Sequence, residues 1–292
     1  IGARRENAGG FNEVMDIDLV DLDGDGQLDM LVGLKSSFGV YKGALVVYRG
    51  FGGNNFMPVS MITEAGSEGD LQLGDVWAVG SGDIDGDGDQ DVIIGTHRTE
   101  YTGCIDIFLN AGEASGVLEW RARYETFGAV NDLMVIDMME DDARDPDIII
   151  GSSIAANAGF VMLWSNTGGV FGWADTTGYA FGPETVPNLP DDWVDAHGEA
   201  LCLAALALNN DIFPDIAYGT RRSSLLYLGD IYVLPSYGTL PDGGLKVNTS
   251  DMGEIIAIGV ADFNKDSRPD LVVGTRSSAT QGRLIAYFGR EI

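Results

Sequence analysis

Short apolar runs closed by glycine recur along the chain: Met30-Leu31-Val32-Gly33, Val92-Ile93-Ile94-Gly95, Ile148-Ile149-Ile150-Gly151, Ile216-Ala217-Tyr218-Gly219 and Leu271-Val272-Val273-Gly274. The closing glycines are 62, 56, 68 and 55 residues apart. A second series opens with glycine and ends in a large side chain: Gly43 to Tyr48, Gly103 to Phe108, Gly159 to Trp164, Gly229 to Leu234 and Gly282 to Tyr287. Ahead of the closed runs, large and small residues alternate with period two, the signature of a half-buried strand. Trp77 and Val79 stand against Ala78, Gly80 and Gly82, and Ile256, Ile258 and Val260 against Ala257, Gly259 and Ala261. Less regular fourth strands are predicted at Phe56 to Met61, Leu118 to Tyr124, Val170 to Ala174 and Leu245 to Thr249.

Several strands per unit at this period predict an all-β fold, a five-bladed β-propeller of four-stranded blades in a single domain over residues 1–292. The repeats run approximately over 11–64, 74–127, 129–176, 199–250 and 253–292, with an insertion at 176–199. The last repeat lacks a fourth strand, and Ala3-Arg4-Arg5-Glu6-Asn7 resembles Ala122-Arg123-Tyr124-Glu125-Thr126 just before the third repeat. Residues 1–10 are therefore expected to complete the last blade, close the ring and hide a sheet edge. The alternative is a fragment of a larger propeller. Asp16 and Asp18, in the small-residue row of the first repeat, are expected to face a wet central channel.

Composition agrees with this picture, since 41 glycines suit many tight turns. A formal charge of −28 argues against nucleic acid or an anionic membrane surface as partner. No apolar run approaches the roughly 20 residues that cross a bilayer, so no direct membrane insertion is expected. Two cysteines, Cys104 and Cys202, are too few for a disulfide framework.

The charge is concentrated where the first strand of a repeat gives way to the second. Asp83-Ile84-Asp85-Gly86-Asp87-Gly88-Asp89-Gln90-Asp91 places five acids in nine residues, which repel one another unless a cation sits among them. The pattern recurs from Asp21 to Asp29 and, with one Asn, from Asp262 to Asp270. Oxygen donors without Cys or His suit calcium better than zinc or octahedral magnesium. An EF-hand would need Glu at position 12, where Val32, Ile94 and Val273 stand. The bland reading is an acidic turn with no ion, because Asp and Gly favour turns in any case.

These loops resemble the FG-GAP or integrin-α-type propeller repeat, also catalogued as VCBS, with its Asp-x-Asp-x-Asp-Gly-x-x-Asp signature before an apolar strand. The resemblance implies a calcium ion held by side chains at positions 1, 3, 5 and 9 and a carbonyl at position 7. The implied ligands are Asp21, Asp23, Asp25, the Gln27 carbonyl and Asp29; then Asp83, Asp85, Asp87, the Asp89 carbonyl and Asp91; then Asp262, Asn264, Asp266, the Arg268 carbonyl and Asp270. Gly26 and Gly88 take the sharp turn at position 6, where Ser267 is a milder fit. Two loops look decayed and are candidate weak sites: Asp137, Asp141 and Asp147 in the third repeat, with the closing acid two residues late, and Asn209, Asp211 and Asp215 in the fourth. Three calcium ions are expected, five at most, and the metal is expected to be structural.

Binding is then expected at the opposite ends of the strands, where Lys35, His97, Arg98, Arg221, Arg222 and Arg276 could clamp carboxylate or sulfate groups. The competing reading pairs these bases with neighbouring acids. In the insertion, Trp193 could stack on a sugar ring and His197 could serve acid–base chemistry, or the aromatics pin the loop to the blade. No catalytic constellation is visible. The resulting expectation is a secreted, extracellular or cell-surface, lectin-like adhesion module that binds glycan or protein. The alternatives are a subunit self-associating into a filament or surface array, and a carbohydrate-active enzyme such as a polysaccharide lyase.

Overall fold

The computed structural model describes residues 11–36, 41–53, 55–65, 71–110, 116–126, 128–138, 146–167, 170–173, 198–207, 213–223, 225–235, 245–247 and 253–289. Every regular element among them is a strand, as the period-two pattern predicts. Two compact units divide the chain, Ile1–Val130 and Asn131–Ile292.

The first unit contains two blades. One is β1 (Phe11–Val20), β2 (Asp29–Ser36), β3 (Ala44–Gly50) and β4 (Phe56–Ile62), paired in that order. A two-stranded link, β5 (Glu64–Ala65) and β6 (Leu71–Gln72), leads to β7 (Asp75–Gly82), β8 (Asp91–His97), β9 (Gly103–Asn110) and β10 (Leu118–Thr126). The third blade begins across the boundary and runs β11 (Ala129–Ile136), β12 (Asp147–Ala155), β13 (Ala158–Thr167) and β14 (Val170–Trp173). In the second unit follow β15 (Glu199–Leu206), β16 (Asp215–Arg221), β17 (Ile231–Leu234) and β18 (Leu245–Val247), then β19 (Glu254–Ala261), β20 (Asp270–Ser278) and β21 (Gln281–Tyr287). The five antiparallel meanders are propeller blades, and the last has three strands among the described residues. The N-terminal strand expected to complete it, residues 1–10, lies outside the described residues.

The core sits between successive blades. In the first unit Leu31, Leu45 and Val47 pack with Val76, Val79, Val92, Ile94 and Phe108. In the second, strand alternation sends Ile216 and Tyr218 to the cluster with Ile149 and Leu163, while Ala217 joins Ile255 and Val273. The recurring glycines follow from these close approaches. A Cβ on Gly219 would strike Ile255 of the next blade, and one on Gly159 would strike the Ser152 carbonyl of the paired strand.

Asp16 and Asp18, expected at a channel, accept hydrogen bonds from the neighbouring blade. Val79 N–H donates to Asp16 Oδ2 at 2.8 Å and the Ser81 hydroxyl to Asp18 Oδ2 at 2.6 Å, so both acids bind the first strand of the neighbouring blade. Leu203 N–H donates to Asp132 Oδ2 at 2.7 Å in the same way between the third and fourth blades. Burial raises the Asp16 pKa against the N–H bonds that favour its ionised form.

Candidate metal centres

The first, second and fifth acidic loops each fold as a chain of short side-chain-to-backbone bonds. In the first loop Gly26 N–H donates to Asp21, Asp25 N–H to Asp23 and Gln27 N–H to Asp25. Gly88, Asp87 and Asp89 repeat this on Asp83, Asp85 and Asp87, and Ser267, Asp266 and Arg268 on Asp262, Asn264 and Asp266. The turn requires positive φ at positions 4 and 6: Gly24 and Gly26 lie at 70° and 82°, Gly86 and Gly88 at 77° and 96°. The fifth loop forces Lys265 and Ser267 to 63° and 67°, where any side chain costs energy that glycine does not.

The closing aspartate has a separate task that the nine-residue signature does not reveal. Asp29 accepts Leu22 N–H at 3.0 Å on one oxygen and Gly50 N–H at 2.7 Å on the other. Asp91 does the same for Ile84 and Asn110, Asp147 for Met138 and Asn166, and Asp270 for Phe263 and Gly289. Each of these acids therefore ties its own loop to the end of the third strand. Asp147 fills this position even though the sequence places it two residues late, so the third loop is longer but closed in the same way. Asp215 is fully buried at the start of β16. Asp137 is exposed, and Asp141, Asn209 and Asp211 lie outside the described residues.

Carboxylate oxygens converge in the first two loops: those of Asp21, Asp23 and Asp29 come within 4.8 Å of one another, and so do those of Asp83, Asp85 and Asp91. No such three-acid group forms in the fifth loop among the described residues, where Asn264 replaces one acid and its Nδ2 donates to Asp266 at 3.0 Å. The donor set fits a hard divalent cation. Asp21 Oδ1 is buried with no hydrogen-bond partner beside two further carboxylates, a costly arrangement that a cation relieves. In the first loop Arg49 also pairs with Asp23.

Burial, with the charges of Asp85 and Asp87, pushes the Asp91 carboxyl up to about 6 despite the N–H bonds from Asn110 and Ile84. Without metal, a carboxyl raised in the fold binds protons more tightly than in the unfolded chain. Its contribution to stability is present at low pH and is lost as pH rises from the unfolded value of 3.8 through about 6. A cation must displace that proton. Calcium affinity of the second loop is therefore expected to fall about tenfold from pH 7 to pH 5, as read by calorimetric titration. Affinity independent of pH over this range would contradict the assignment.

At the other ends of the strands the basic residues meet acids. Lys35 pairs with Glu13 at 3.0 Å, Arg98 with Glu125 at 2.6 Å and Arg222 with Asp230 at 3.5 Å. Arg221 donates through Nε to Glu199 at 2.9 Å, and Arg276 to Glu254 at 2.7 Å. Asp230 also takes Lys246 at 2.9 Å. His97 is buried and stacked on Trp77 with ring centroids 4.1 Å apart, and Lys35 Nζ stands 5.4 Å from the same indole. Glu199 reaches the preceding blade as well, accepting from Ser153 and Asn157. These acids were legible as a constant offset, because Glu13, Glu199 and Glu254 each precede their base by 22 residues. Trp193 and His197 lie outside the described residues.

Blades with acidic strand-connecting loops define a repeat protein of the propeller class. Residues 21–94, which span the first and second loops, match the family model of the FG-GAP-like repeat. Such repeats are in general found in extracellular interaction modules. No curated protein matches the chain. No helix among the described residues is long and apolar enough to cross a membrane.

Proposed function

We propose that the protein is a calcium-stabilised extracellular interaction module whose ions brace the blades and whose opposite strand ends bind an anionic glycan or an acidic protein segment. The observation that carries the calcium part is the buried, unpartnered Asp21 Oδ1 within a three-acid cluster. The first and second loops are the strong sites, the fifth is weaker, and the ions tie strands rather than perform chemistry. For binding at the strand ends, support comes from Arg98 in the first unit and, separately, from Arg222 and Arg276 in the second, whose side chains are 44%, 40% and 42% exposed although paired. Guanidinium groups in this state can exchange an internal carboxylate for a ligand's sulfate or carboxylate.

The test is a glycan array probed with the wild type and with R98A/R222A. Arg221 and Arg276 are left in place because removing them would leave Glu199 and Glu254 buried without their cation. Asp230 keeps Lys246, and Glu125 is exposed. Binding to sulfated or uronic-acid glycans that drops at least about tenfold in the double variant supports this role of the strand ends; unchanged binding removes it.

A second reading, a subunit of a filament or surface array, is favoured by β4. This edge strand exposes Phe56, Met57, Val59 and Met61, an unusual apolar edge for a protein that remains monomeric. Ordered polymers in native extracts would support it. The enzyme reading rests on His197, since His97 is held in the core against Trp77.

A further inference from the structure

Beside the first acidic loop, within the first unit, lies a cavity of about 320 Å³. Its walls are mostly aliphatic, with Val47, Val59, Ile62 and Leu118 among them; among the described residues Arg49 is the one basic side chain lining it, and Asp29 lines it as well. Asp23 lines the same cavity and holds the Arg49 guanidinium in an ion pair. The two side chains differ in environment, Arg49 being 37% exposed and Asp23 only 3%. The fold does not demand an arginine here. Leu109 takes the corresponding place in the second blade, immediately before the residue whose N–H closes on the loop's last aspartate.

We propose that this cavity is a subsite for a small aliphatic carboxylate, with Arg49 as its anion-binding group, and that it becomes available when a divalent cation enters the first loop. The proposal rests on the reading that the loop takes such a cation. Asp23 cannot give its full charge to both an ion and a guanidinium, because the two cations repel each other across it. An ion held by Asp21, Asp23 and Asp29 would weaken the Asp23–Arg49 pair and free the guanidinium, which is 37% exposed, for another anion. A carboxylate then takes the planar N–H fork that Asp23 has given up, and its hydrocarbon chain covers the valine and leucine wall. Without the cation the same carboxylate must compete with Asp23, an internal partner of the same chemistry. The coupling is reciprocal: the carboxylate, by drawing Arg49 away, strengthens calcium in the first loop by the same factor that calcium strengthens the carboxylate.

The test uses 3-methylbutanoate as probe, observed by ligand NMR against the full chain with calcium and with excess chelator, alongside calorimetric calcium titration. R49L supplies the leucine found in the second blade, and R49Q is a more polar second variant in case the first does not fold. Calcium is expected to tighten the probe at least about fivefold. Both variants are expected to lose probe binding and to bind calcium more tightly in one site. Equal probe affinity with and without calcium overturns the coupling, and binding retained in a folded variant overturns Arg49 as the anion group. Absence of any calcium uptake by the wild type instead overturns the reading of the loop on which the proposal rests.

Discussion

Removing calcium with excess chelator is expected to lower the thermal midpoint of the first unit by at least about 10 °C. The size follows from mass action. An ion present at about 1,000 times its dissociation constant adds about 4 kcal/mol to the folded state. Each kcal/mol is worth about 2–4 °C in domains of roughly 150–250 residues. Both three-acid loops, Asp21 to Asp29 and Asp83 to Asp91, belong to Ile1–Val130, so the loss falls there. The chelated protein also keeps two unfavourable features, the orphaned Asp21 Oδ1 and an Asp91 held at about 6. A midpoint unchanged in excess chelator would mean that these loops are acidic turns held by their N–H bonds alone.

Replacing Asp147 by alanine is expected to cost about 3–5 kcal/mol whether or not calcium is present, read by urea unfolding in chelator. Asp147 is 1% exposed and its two oxygens accept Met138 N–H at 3.0 Å and Asn166 N–H at 2.9 Å. Alanine strands both donors in a buried site, at about 1–3 kcal/mol each. D147N, which keeps an acceptor oxygen, is expected to recover about half of the loss. D85N in the second loop provides the contrast: Asp85 is exposed, so the change should be small in chelator and large only when calcium is supplied. Equal effects of D147A and D85N in chelator would contradict a division of labour between closing and ligating aspartates.

The strands were the most legible part of the sequence, because each apolar run closed by glycine records two local constraints at once. Period two places Ile216 and Ala217 on opposite faces, and the closing glycine marks where the next blade presses closest. The acidic loops were legible because their bonds reach only two to seven residues. Position 4 escaped notice because it carries glycine in Gly24 and Gly86 but Lys265 in the fifth loop, and only the φ values unite them. What spans blades was hidden. Asp16 and Val79 are 63 residues apart, and Asp132 and Leu203 are 71, so nothing nearby tells whether an inward acid meets water or a backbone N–H. For the basic residues the sequence left two readings open, ligand binding and pairing with neighbouring acids. Arg221 and Arg276 look available in sequence, but Glu199 and Glu254, 22 residues earlier, stand opposite them in the antiparallel register.

Arg49 gave no signal either. It lies outside the repeat signature, and its importance comes from folding onto Asp23, 26 residues away. An acid of the three-carboxylate group that is paired with an internal cation makes the first loop unlike the second, although their spacing is the same.

The most direct test of a calcium-braced scaffold is the number of calcium ions retained per chain after equilibrium dialysis at pH 7 and physiological ionic strength, measured by elemental analysis. Two tightly held ions, rising to three at higher calcium and falling by one in D83N/D85N, is the expected result. A chain that retains none, while its strands remain folded, would contradict it.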